Sequence, residues 1–188
     1  MKVSEYESGI GKFDLYGDAV ASFLEAGNIP QIRLVIEVLT KFTGLVGEFG
    51  EFCEKLSSMA SLDELIKEVS DVEWYLTRIE NCLGFTKVEI IEACKQERSF
   101  ENMTGMIKDF NIWVGKLGEQ LKKIIRDENG NLTHRMPEFI EIFCQLEIQL
   151  MKIEGQLNRS KQEVLEVNYL KLKDRWERDV LHGSGDKR

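Results

Sequence analysis

Only two prolines occur in the 188 residues, Pro30 and Pro137. Each stands where a helix would begin, the place where a missing N–H costs no hydrogen bond. Elsewhere apolar residues recur at the 3.6-residue period of an amphipathic helix. Three Ser/Thr-x-x-Glu boxes, Ser61 with Glu64, Thr86 with Glu89 and Ser160 with Glu163, mark helix starts, while Gly84 and Asn129-Gly130-Asn131 mark stops. The pattern predicts an all-α chain, a bundle of about seven helices at roughly 14–26, 31–57, 62–83, 87–99, 103–127, 136–157 and 161–178.

Composition narrows the function classes. With 25 basic and 33 acidic residues the net charge is −8, which argues against a general nucleic-acid binder with its basic stripe. The opening MKVSEYESG has no apolar signal core, and no apolar run nears the roughly 20 residues of a membrane span, so a cytoplasmic protein without membrane contact is expected. Cys53, Cys82, Cys94 and Cys144 form no C-x-x-C pair and read as reduced core thiols.

Two acidic pairs carry the chemistry. Glu48-x-x-Glu51 lies among Leu45, Val46, Phe49 and Phe52, and Glu68-x-x-Asp71 among Leu65, Val69, Val72 and Leu76. Residues three apart share a helix face, so four carboxylates are expected to point inward from neighbouring helices. Such a cluster needs a cation. Oxygen ligands suit hard ions, Mg²⁺ or Mn²⁺, which also take phosphate oxygens, and phosphate chemistry follows.

The chain also resembles itself. FTGLVGEFGEFCEKL from Phe42 lies over FNIWVGKLGEQLKKI from Phe110 at an offset of 68 residues, and RIENCLGFTKVEIIEA from Arg78 over KIEGQLNRSKQEVLEV from Lys152 at an offset of 74. The expectation is one domain over 1–188, built from two tandem pseudo-symmetric helical repeats, 31–99 and 103–178, with a tail at 179–188. In the second copy Lys116, Glu119, Ile142 and Gln145 stand at the positions of the four carboxylates, so only the first would hold metal.

The segment GLVGEFGEFCEKL, the spacer 52–67 and ELIKEVSDVEWYLTRIENCLG resemble the MazG-like branch of the all-α nucleoside triphosphate pyrophosphatases, whose signature is E-x-x-E, a spacer, then E-x-x-D. Near the C-terminus, Asn168-Tyr169-Leu170-Lys171-Leu172-Lys173-Asp174-Arg175 resembles the family's N-x-x-K-L-x-x-R segment, and Gly183 to Arg188 the glycine-rich ending of phage-borne members. The tandem layout is similar to that of the dimeric dUTPases of the same superfamily. The resemblance implies hydrolysis of a (d)NTP, a deoxynucleotide above all, to the monophosphate and pyrophosphate. Glu48, Glu51, Glu68 and Asp71 would hold Mg²⁺, and Glu48 or Glu51 would also orient the attacking water. Asn168, Lys171 and Arg175, one stripe at i, i+3 and i+7, would bind substrate together with Lys187 and Arg188. A second copy standing in for a partner subunit would bring Lys171 and Arg175 to the metal site of the first, and a homodimer or higher oligomer is compatible with this layout. The alternative is a catalytically silent helical module that binds nucleotides or a protein partner.

Other residues read more plainly. Gly44, Gly47 and Gly50 are expected to permit close helix packing, Trp74 and Tyr75 to serve the core or to stack on a base, and Tyr16 and Asp18 to lie on a surface helix. Glu54 is expected to be solvated beside Lys55, Glu73 to face away from Asp71, and His134 and His182 to lie in a loop and a tail without triad partners.

Overall fold

The computed structural model describes residues 16–26, 29–94, 102–131 and 133–180. Among them lie seven α-helices and no strand: α1 (Tyr16–Ala26), α2 (Ile29–Ser57), α3 (Leu62–Cys82), α4 (Lys87–Ala93), α5 (Met103–Glu128), α6 (Met136–Gln156) and α7 (Lys161–Glu177), with a 3-10 turn at Thr133–Arg135 before α6. All three capping boxes close in both directions, the hydroxyl accepting from the Glu backbone N–H and the Glu carboxylate accepting from the cap's own N–H. Helix α2 begins at Ile29 rather than 31, which seats Pro30 in its first turn. Helix α4 stops at Ala93 instead of 99, because Cys94 turns to an extended backbone at ψ 115°; residues 95–101 lie outside the described residues.

The core is a layer of aromatic and aliphatic side chains at helical spacing: Leu45, Phe49 and Phe52 from α2, Val69, Val72 and Leu76 from α3, Phe110 and Leu117 from α5, Phe143 and Leu146 from α6. Phe49 and Phe110 meet with ring centroids 4.1 Å apart, joining α2 to α5. Each such side chain contributes roughly 1.5–3 kcal/mol by leaving water. Val46 departs from expectation: it is 47% exposed, because one residue past Leu45 the helix has turned by about 100° toward solvent. Gly44 has the close neighbour that was expected, since a Cβ there would come within 2.1 Å of the Tyr75 ring. Gly47 and Gly50 do not, as a Cβ on either would meet nothing within 4 Å. Gly130 needs to be glycine on two counts, a φ of +83° and the Phe23 ring of α1, 2.4 Å from where its Cβ would stand.

Helix α3 packs along α2, and α6 along α5; α7 then crosses to α3 while α4 crosses to α6. The four helices α3, α4, α6 and α7 meet at a buried charge network. Lys87, the first residue of α4, reaches Glu73 at 3.0 Å, Glu80 at 3.3 Å and Glu147. Lys161, the first residue of α7, reaches Glu147 at 3.0 Å, Glu154 at 3.2 Å and Glu73. All four glutamates are at most 1% exposed. Two ammonium groups therefore face four carboxyl groups, and neutrality in this dry setting requires two protons. Burial, together with the charge of Glu147 and Glu73 beyond what Lys87 offsets, pushes Glu80 up to about 8. Burial and the charge of Glu73 likewise push Glu154 up to about 8. Against the same burial, Lys161 and Lys87 draw Glu73 down to about 2.

Because Glu80 and Glu154 hold protons in the folded chain that the unfolded chain has released above its ordinary carboxylate range, their contribution is complete in acid and is lost as pH rises toward 8. Urea unfolding at pH 5.5 and pH 8 is expected to show a loss of several kcal/mol at the higher pH. The double substitution Glu80→Gln with Glu154→Gln is expected to flatten that slope.

Candidate functional site

Helices α2 and α3 bring three of the four expected carboxylates together. Oxygens of Glu48, Glu68 and Asp71 lie within 4.8 Å of one another. Glu68 is 2% exposed, and Glu48 and Asp71 are part-buried. Glu51 is not gathered with them. Three residues past Glu48, its direction is rotated by about 60° toward solvent, Phe52 takes the inward position at 0% exposure, and Glu51 is exposed. Its charge still reaches the nest. Burial first, then Asp71, Glu51 and Glu68, raise Glu48 to about 7, with Lys171 acting in the opposite direction.

The far end of the chain closes over this nest. From α7, Asn168 Nδ2 donates to Asp71 Oδ1 at 2.7 Å, and the Lys171 ammonium contacts both Asp71 oxygens. Asn168 and Arg175 are 6% and 8% exposed. Arg175 lies one turn beyond Lys171 on the same stripe. Lys187 and Arg188 lie outside the described residues.

Sequence reasoning missed Lys55. Expected beside a solvated Glu54, it instead pairs with Glu68, its side chain 27% exposed and that of Glu68 3%; Glu54 is exposed. The available signal was spacing, since Lys55 stands seven residues after Glu48, two turns on along the same face. It also missed the two-lysine, four-glutamate network, although Glu73 and Glu147, Glu80 and Glu154, and Lys87 and Lys161 are each 74 residues apart.

The remaining candidates fall as follows. Trp74 and Tyr75 are part-buried and meet edge to face at 4.7 Å, Tyr75 lying over Gly44. Asp18 and His134 are exposed, and His182 and the Tyr16 side chain lie outside the described residues. The four cysteines are free thiols, with Cys94 pushed by burial and by Cys144 up to about 12. At the positions expected to match the carboxylates, Ile142 is buried and the Lys116 ammonium sits 3.4 Å from the centroid of the Trp113 ring. Both line a cleft of about 270 Å³ with Glu119, Gln120, Glu138 and Glu141.

The donor set fits a hard divalent cation. Three carboxylates converge, one is buried, and their mutual repulsion shows in Glu48. A divalent ion would remove that repulsion. Comparison with protein-family models, curated proteins and solved structures gave no match. No described helix is long and apolar enough to cross a membrane.

Because the raised Glu48 reflects burial and like charges, Glu48→Gln is expected to raise the melting temperature of the metal-free protein at pH 8 by about 2 °C, the effect being screened at this half-exposed group. At pH 5, where Glu48 is already protonated in the folded chain, the substitution is expected to change little. Differential scanning fluorimetry in EDTA reads both.

Proposed function

We propose that the chain is a metal-dependent nucleoside triphosphate pyrophosphohydrolase that converts a (d)NTP, by preference a deoxynucleotide, and water to the nucleoside monophosphate and pyrophosphate. The observation that carries this reading is the convergence of Glu48, Glu68 and Asp71 beneath Asn168 and Lys171, helices from opposite ends of the chain meeting at one polar point. Acidic oxygens for a cation beside an amide and an ammonium for phosphate suit a polyphosphate substrate. The resemblance of the two acidic pairs to the MazG-like signature supports the same chemistry.

In this reading Glu48, Glu68 and Asp71 hold Mg²⁺ or Mn²⁺. When bound, the ion neutralises phosphate charge and acidifies a coordinated water. Lys171, four residues from the buried Arg175, clamps phosphate oxygens, and Asn168 fixes the carboxylate of Asp71 so that it presents one orientation. Glu48, part-buried beside Glu68 and Asp71, would also orient the attacking water. Glu51, at the solvent edge, orients water or a more distant ion. Water attacks at the bridge between the α and β phosphates, the bond from the attacked phosphorus to the bridging oxygen breaks, and the leaving phosphate group carries away that electron pair, giving the monophosphate and pyrophosphate.

The tandem layout belongs to the same proposal. The reciprocal crossing of α4 onto α6 and α7 onto α3, and the constant spacing of 74 within the charge network, support two copies of one helical unit, the second without metal. One observation favours the silent module instead: Lys55 and Lys171 already neutralise Glu68 and Asp71.

Pyrophosphate release should separate the readings. With Mg²⁺ or Mn²⁺, turnover of at least one canonical dNTP is expected, and Asp71→Asn and Glu68→Gln should each lower kcat on the order of 100-fold while circular dichroism stays unchanged. Absence of turnover across canonical and modified dNTPs would rule out the enzyme.

A further inference from the structure

The acidic nest carries its own cations. Lys55 enters from α2, along the same face as Glu48, and its ammonium sits on Glu68. Lys171 enters from α7 and sits on both oxygens of Asp71. Three carboxylates and two ammonium groups thus share one part-buried cluster, leaving one negative charge when all are ionised. Adding a divalent ion to that set would reverse the sign. It would also ask Glu68 and Asp71 to serve an ammonium and a metal with the same oxygens. Both lysines have flexible four-carbon stems, and their side chains are 27% and 17% exposed, so each has a route to the rim.

We propose that Lys55 and Lys171 are resident competitors of the metal: they occupy Glu68 and Asp71 in the metal-free chain and leave when a divalent cation enters. Displaced to the rim, both ammonium groups stand where the phosphates of a metal-bound triphosphate would lie. Metal alone therefore binds weakly, because it must break two ion pairs, and polyphosphate tightens it by giving the freed lysines new partners. Lys55 thereby becomes a positioning residue that couples the two ligands. This inference rests on the metal-binding reading above.

The test uses Mn²⁺ alone, titrated calorimetrically into the full-length metal-free protein. Lys55→Met is expected to bind Mn²⁺ about tenfold more tightly than wild type, since a competing charge is gone. Lys55→Arg, which keeps the charge, should not. The melting temperature of metal-free Lys55→Met should fall, because buried Glu68 loses a counter-ion, and the rise on adding Mn²⁺ should exceed that of wild type. Adding a non-hydrolysable triphosphate should tighten Mn²⁺ less in Lys55→Met than in wild type. Lys41→Met, which removes a lysine paired with Glu37, is the charge control and should bind as wild type does. Should Lys55→Met fail to fold, Lys55→Gln keeps a polar chain without the charge and carries the same expectation. Wild-type binding with unchanged or weaker binding in the neutral variants would overturn the competitor role while leaving the metal site intact. No Mn²⁺ binding by wild type or either neutral variant would overturn the metal reading itself.

Discussion

The arrangement depends on two lysines buried against four glutamates where α3, α4, α6 and α7 meet. Desolvating six ionisable groups is expensive, and good geometry is what makes it tolerable. Each lysine is the first residue of its helix, directly after the capping residues Thr86 and Ser160. The caps that start α4 and α7 therefore also aim the ammonium groups. Because Lys161 is held between Glu73 and Glu147, the start of α7 is fixed on α3. One face further along, through Val164, then delivers Asn168 and Lys171 to Asp71. Polar specificity at the network thus sets the geometry of the nest several turns away.

The chain handles buried carboxylates in two ways. In the network, lysine partners are themselves covered, with side chains only 11% and 15% exposed, and Glu73 is drawn well below the ordinary range. In the nest Lys55 is 27% exposed and Lys171 17%, and Glu48 is pushed up to about 7. The first arrangement stays put because every member is enclosed. The second is frustrated, and frustration of this kind collects where ligands bind.

Much of the fold was legible in the sequence because its signals are local. A capping box acts over three residues, a proline over one turn, and an apolar stripe repeats along the whole helix. The convergence of Glu48, Glu68 and Asp71 was legible for the same reason. Glu51 and Val46 were misplaced because helical spacing fixes which residues share a face and leaves open how far that face is rotated toward its neighbour. The neighbour decides: Phe52 won the inward position on α2, while α7 meets Asp71 on α3. Gly47 and Gly50 resembled Gly44 by period, yet only Gly44 meets Tyr75. The charge network left a long-range trace, polar residues matched at a separation of 74, which an eye for apolar periodicity passes over.

The crossing of α4 onto α6 and of α7 onto α3 also bears on how the molecule comes into being. Helix α3 lacks the partners that α7 brings until α7 has been made, so a chain emerging from its N-terminus leaves Glu73 without Lys161 and Asp71 without Lys171 until α7 is released. The pairings of Lys87 with Glu147 and of Lys171 with Asp71 join residues 60 and 100 positions apart, and such distant closures are slow steps. Assembly is therefore expected to finish late and as a single event, with the polar pocket the last thing to form.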